Sequence, residues 1–199
     1  MFIVNFLSSY YFKYTMVKKI LFILFIIIFV SCDGGLSPEM AEINPGFGGT
    51  VTFIGNWDSS VTRTHVVLFK NPLLSKKDFN AFNLKFVSDS IATGTQNYYY
   101  STYDKNSLIS NIQAGEYAYL AVAQSKTEKL SLNREDWMIA GLYSITDGDS
   151  VKPKTLIIPE ASFVDNIDIL CDFNNPPPQP PGGTTKFIIK ELLKILESK

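Results

Sequence analysis

Few residues in this chain have the chemistry to catalyse a reaction. His65 is the only histidine in 199 residues. Any Ser-His-Asp, Cys-His or histidine–metal mechanism must run through it. It stands in Arg63-Thr64-His65-Val66-Val67, with Arg63 and Val67 on its own face of a strand. No Gly-x-Ser-x-Gly turn accompanies it, so a half-exposed sheet histidine is expected. A hydrolase is the alternative, and it requires His65 in a polar pocket beside a serine or an aspartate. Two cysteines, Cys32 and Cys171, cannot make a cysteine-rich metal site. Gly46-Phe47-Gly48-Gly49-Thr50 leads into a strand without the spacing or the helix of a phosphate loop. Asp147-Gly148-Asp149 lacks the spaced acids of a calcium loop and fits a hairpin turn. Neither Glu135-Asp136 nor Asp168 with Asp172 has a spacing that marks a general acid. The expectation is a non-enzyme without metal or cofactor, apart from a covalent lipid discussed below.

Binding chemistry is better represented. Tyr98, Tyr99, Tyr100 and Tyr103 place rings on both faces of one strand, so not all can be core. Trp57 lies in a loop, Gly55-Asn56-Trp57-Asp58. Aromatic rings beside Asn and Asp suit a protein or carbohydrate partner. The alternative is that both strand faces are covered, one by a second sheet and one by loops or a helix. A net charge of −1, with no basic stripe, excludes nucleic acid as an expected partner.

The elements that must hold these residues begin after an N-terminal segment of different character. Lys18 and Lys19 precede an unbroken apolar run of 11 residues, Ile20 to Val30. A membrane-spanning helix needs about 20, whereas a signal-peptide core needs about 7–15 behind a positive start. The biological start is then expected at Met16. A signal anchor over residues 1–30 is the alternative, interrupted by Asn5, Ser8, Ser9 and three lysines. The run ends in Phe29-Val30-Ser31-Cys32, which resembles a bacterial lipobox, with Phe29 in place of the usual leucine. That resemblance implies cleavage before Cys32, diacylglycerol on its thiol and an acylated N-terminus. The chain would then be a lipoprotein of the bacterial cell envelope, facing the periplasm or exterior and bound to the membrane through its lipid anchor. In enteric bacteria an acid such as Asp33 resembles an inner-membrane retention signal; the leaflet stays open. An ordinary signal peptide with an incidental cysteine is the alternative, and a Cys32–Cys171 disulfide would go with it.

Residues 32–46 read as a lipidated tether, rich in Gly, Pro and acids. Residues 47–173 carry about eight short strand patterns separated by Gly, Asn, Asp, Pro and Ser clusters. Phe82, Leu84 and Phe86 alternate with Asn83 and Lys85. Ile167, Ile169, Cys171 and Phe173 share one face, which makes Cys171 a small buried hydrophobe. No long helical period interrupts the strands. The fold class expected is all-β: a two-sheet antiparallel sandwich of seven or eight strands, with an N-terminal signal helix over residues 1–31 and a short C-terminal amphipathic helix. Residues 174–183, with five prolines, end the sheet and read as a spacer. In residues 184–199, Ile188, Ile189, Leu192, Ile195 and Leu196 fall on one helical face. This helix has three candidate positions: its own domain, the membrane interface, or a partner's groove. The last would make the chain a structural subunit of an envelope complex.

Gln113-Ala114-Gly115-Glu116-Tyr117-Ala118-Tyr119-Leu120-Ala121-Val122 resembles the Gly-x-Tyr strand entry of transthyretin-like and carboxypeptidase-regulatory-like sandwiches. Gly49 to Phe53 is similar to their first strand, and Asp168 to Phe173 to a closing one. The resemblance implies a non-catalytic module for binding or scaffolding.

Overall fold

The computed structural model describes residues 18–19, 43–148 and 150–183. The chain divides into two units, Met1–Glu42 and Ile43–Lys199. Of the first, only Lys18 and Lys19 are described, as exposed helical residues. The rest of the signal segment, Cys32, most of the tether and the expected C-terminal helix lie outside the described residues.

The described part of the second unit is all-β, as its alternation dictates. One sheet has four strands: β1 (Gly46–Ile54), β4 (Asn97–Ser101), β12 (Phe163–Val164) and β13 (Ile169–Asp172). The other has five: β2 (Arg63–Phe69), β3 (Leu84–Val87), β5 (Ile109–Ser110), β7 (Tyr119–Ser125) and β8 (Trp137–Leu142), in the order β5-β3-β2-β7-β8. Two small ladders join β6 (Gly115–Tyr117) to β11 (Leu156–Ile158), and β9 (Ser144–Asp147) to β10 (Ser150–Pro153). Gly148 turns the β9–β10 hairpin at φ +61°, the role expected of it.

The inner faces bury Phe47, Val51 and Phe53 of β1 against Val66 and Leu68 of β2, Phe86 of β3, and Leu120 and Val122 of β7. Cys171 closes this core from β13 as a free, fully buried thiol, whose ionisation burial pushes well up. Tyr117 fixes the entry to β7. Its hydroxyl accepts from Gln113 N at 3.0 Å and donates to Gln113 O at 2.8 Å, a tyrosine corner.

Three features depart from simple alternation. First, β1 runs parallel to both β12 and β13, while pairing antiparallel with β4. Second, the Phe82–Phe86 pattern breaks. Leu68 pairs with Phe86 but Phe69 pairs with Leu84, so Lys85 is an extra residue in a bulge. Leu84 consequently packs on the outer side of the sheet and Phe86 on the inner. Phe82 is 92% exposed, whereas Asn83 is buried. The Asn83 amide accepts from Asn71 N and donates to Asp78 O, which pins the loop of residues 70–83.

Third, the five-stranded sheet is covered on both faces. Val67, Phe69, Val87, Tyr119, Ala121, Ala123, Trp137 and Ile139 form a second core with Leu73, and Phe79 packs against it. Residues 174–183, expected as a spacer, fold back onto this sheet. Gln179 accepts from Ile139 N and donates to Ile139 O, both at 2.8 Å, so its amide blunts the β8 edge as a neighbouring strand would.

Candidate functional site

The second core decides the fate of His65. It is 1% exposed, not half-exposed as expected, because Trp137, distant in sequence, packs on the face it shares with Val67. Its ring lies 6.2 Å from that of Trp137. Nδ1 is 3.0 Å from Ser88 O. A carbonyl only accepts, so Nδ1 carries the proton and Nε2 is left as an acceptor. Nε2 is buried and has no protein partner among the described residues. Burial is the main reason the imidazole is held below its ordinary range. Arg63 adds to that, while backbone bonds to Ser88 and Asp89 oppose it. The nearby hydroxyl is already engaged: Ser88 Oγ accepts from Val66 N and donates to Asp89 O. Among the described residues, no group of three or more His, Cys, Asp or Glu is placed to hold a metal.

The five aromatic candidates divide sharply. Tyr100 belongs to the core, not to a binding surface. It is 1% exposed, its hydroxyl donates to Ile167 O at 2.5 Å, and burial pushes its phenol far up. Trp57 is half-buried, with its ring 4.6 Å from Phe53 and 5.1 Å from Phe173, and Nε1 donating to Thr95 O. It plugs one end of the sandwich. Tyr98 is half-buried and packs against the inner core.

Tyr99 and Tyr103 remain outside, 60% and 50% exposed. Strand parity is the cause. Tyr99 lies opposite Thr50 on the face of β1 that points away from the core, with Thr52, Ile54 and Asn97. Beyond the end of β4, Tyr103 meets Phe163 of β12 at 4.8 Å between ring centroids, and its hydroxyl donates to Asn44 O. The rings approach the β1 backbone where side chains are missing. A Cβ on Gly46 would lie 2.8 Å from the Tyr103 ring, and one on Gly48 would lie 2.9 Å from Phe163 and 3.2 Å from the Tyr99 hydroxyl. The glycines thus let three aromatic side chains converge on the outer face of the four-stranded sheet. Thr50 and Thr52 continue that face, with Thr52 Oγ1 donating to Asn97 Oδ1 at 3.1 Å. Leu170, 56% exposed, borders it from β13.

Sequence reasoning singled out the two tyrosines but missed Phe163 and the role of Gly46 and Gly48. The alternating small residues of Gly46-Phe47-Gly48 were the available signal: outward positions without side chains invite rings from neighbouring strands. Chemically the face offers apolar ring surface, hydroxyls and an amide, and none of it is a nucleophile paired with a base. No protein-family model, no curated protein and no solved structure matches this chain.

Proposed function

We propose that this is a lipid-anchored bacterial envelope protein whose sandwich binds a protein or glycan without catalysing a reaction. The observation that carries the binding half is the exposed convergence of Tyr99, Tyr103 and Phe163 over Gly46 and Gly48. Large aromatic side chains offer contact area at low entropic cost, and Tyr adds a hydroxyl for a polar partner. The enclosed His65, with the neighbouring Ser88 hydroxyl engaged, supports a non-catalytic reading. The Gly115-Glu116-Tyr117 strand entry supports kinship in kind with transthyretin-like binding modules. The anchor half rests on Phe29-Val30-Ser31-Cys32 and the lysines before the apolar run.

Two measurements test the reading. Co-sedimentation with insoluble envelope glycan, and with detergent-extracted envelope protein coupled to beads, should fall at least tenfold for Tyr99→Ala/Tyr103→Ala at unchanged Tm. Equal retention of wild type and variant on both would refute this face as the binding site. For the anchor, intact mass of membrane-extracted protein should show a chain starting at Cys32 with added acyl mass. An unprocessed, unacylated chain identical in behaviour to Cys32→Ala would remove the lipoprotein reading.

A further inference from the structure

The hydrogen bonds of β4 say which of its backbone groups are left over. Among the described residues it pairs with β1 alone. At its two ends Phe53 N donates to Gln96 O, and Thr102 N donates to Phe47 O. Antiparallel pairs alternate between bonded and non-bonded, so Tyr98 and Tyr100 turn their backbone groups toward Val51 and Gly49. Thr50, opposite Tyr99, confirms the phase: its N–H points away from β4, to Asp168 Oδ1 at 2.7 Å. The N–H and C=O of Asn97 and Tyr99 therefore point out of the sheet edge, and no backbone group among the described residues takes them up.

The five-stranded sheet manages its edges differently. It ends in β5, two residues long, and in β8, which Gln179 blunts. β4 offers five residues with no lysine, proline or bulge, the devices that protect a free edge. The sandwich is also open beside it. Tyr98 is on the inner face yet only half-buried, and Tyr99 on the outer face is exposed, so an added strand gains an aromatic neighbour on each face. Charge narrows what that strand can be. From Phe86 to Asp104 the chain carries two acids, Asp89 and Asp104, and no lysine or arginine. Burial pushes the Tyr98 phenol up and both carboxylates push it further, which places them beside this edge. We propose that the edge of β4 accepts an extended segment of a partner protein as an added strand, with β-branched or aromatic residues against Tyr98 and Tyr99 and lysine or arginine near Asp89 and Asp104. The inference rests on the reading of the four-stranded sheet as a binding element, and it gives the partner's form.

The test selects phage-displayed random peptides on the full chain and remeasures the most enriched one as a synthetic peptide. It should alternate β-branched or aromatic residues and carry lysine or arginine. Asn97→Pro removes an outward N–H and leaves the backbone bonds to β1 in place. It should weaken binding at least tenfold at unchanged Tm, whereas Asn97→Ala should not. On wild type, methylating alternate peptide nitrogens should abolish binding in one phase and spare it in the other, a readout that needs no variant to fold. Asp89→Asn/Asp104→Asn should weaken binding and flatten its salt dependence. Equal binding by both methylated phases, or by Asn97→Pro and wild type, would overturn the edge proposal. If Tyr99→Ala/Tyr103→Ala still lost binding in that case, the aromatic face would stand without the edge. Failure of any peptide to enrich on wild type over Asn97→Pro would also overturn it, and glycan retention would then decide the face alone. Salt-independent binding would overturn the basic character of the partner.

Discussion

His65 lends itself to a quantitative test of its enclosure by the second core. Its ring is enclosed, Nδ1 donates to Ser88 O, and Nε2 has no protein partner among the described residues. A second proton would have to enter at Nε2, creating a cation near Arg63 in apolar surroundings. The folded-state pKa is therefore lowered. As pH falls through about 6.5, the unfolded chain takes up a proton that the folded chain refuses. Stability consequently falls with pH, by up to about 1.4 kcal/mol per unit, until the folded pKa is reached. Above about pH 7.5 both states are neutral and the effect vanishes.

The perturbation is His65→Asn, whose amide nitrogen can keep the donation to Ser88 O but does not titrate. Urea unfolding of wild type and variant at pH 7.5, 6.5 and 5.5 isolates the histidine, because both chains share every carboxylate. The wild type should lose stability relative to the variant as pH drops, by at most about 1.4 kcal/mol between pH 7.5 and 5.5. Parallel curves would refute the reasoning and place His65 in water. A difference of opposite sign would mean that the protonated ring gains a partner on folding, such as an anion.

Further expectations follow from close contacts. Gly49→Ala would put a Cβ 2.2 Å from Ile167 O, and Gly141→Ala 2.3 Å from Cys171 Sγ, so each should cost about 3 kcal/mol or more in chemical denaturation. Tyr100→Phe removes the buried donor to Ile167 O and should cost about 1–3 kcal/mol, whereas Tyr99→Phe should stay within about 0.5 kcal/mol. Gln179→Ala should cost about 1–2 kcal/mol and accelerate hydrogen exchange at the Ile139 amide, leaving exchange in β1 unchanged.

What was legible in the sequence tracks how local the cause is. Alternation located β1 and β13 because one face of each meets the core and the other meets solvent. Alternation is lost where both faces are buried: every residue from Tyr119 to Ser125 is enclosed, and the run reads simply as apolar. The Lys85 bulge defeated the pattern at Leu84 because a single inserted residue exchanges the faces, and Phe82 falls in a turn before the strand begins. The enclosure of His65 was illegible because the groups against its ring, Trp137 and the Ser88 carbonyl, are far from it in the chain. For the candidate site, parity places Tyr99 and Tyr100 on opposite faces but does not say which of the two is open; the structure opens Tyr99 and buries Tyr100. Phe163 was hidden because it reaches β1 through a parallel pairing of two residues.

The layering also narrows where a binding module of this shape can bind. Two packed sheets have four faces, and two of them form the inner core. The outer face of the five-stranded sheet is occupied by its own loops and by the strap that Gln179 and Pro180 fasten. Among the described residues, the outer face of the four-stranded sheet keeps partly open residues along β1, β4 and β13. On that face Gly46 and Gly48 admit rings where side chains would otherwise stand. Those glycines weaken a strand that gains no packing from them, and the local stability they forgo is offset by covering the backbone with Tyr103 and Phe163. A ring that only sealed the backbone would be buried in doing so. Tyr99 and Tyr103 are still at least half exposed, so a large part of their surface is left for a partner.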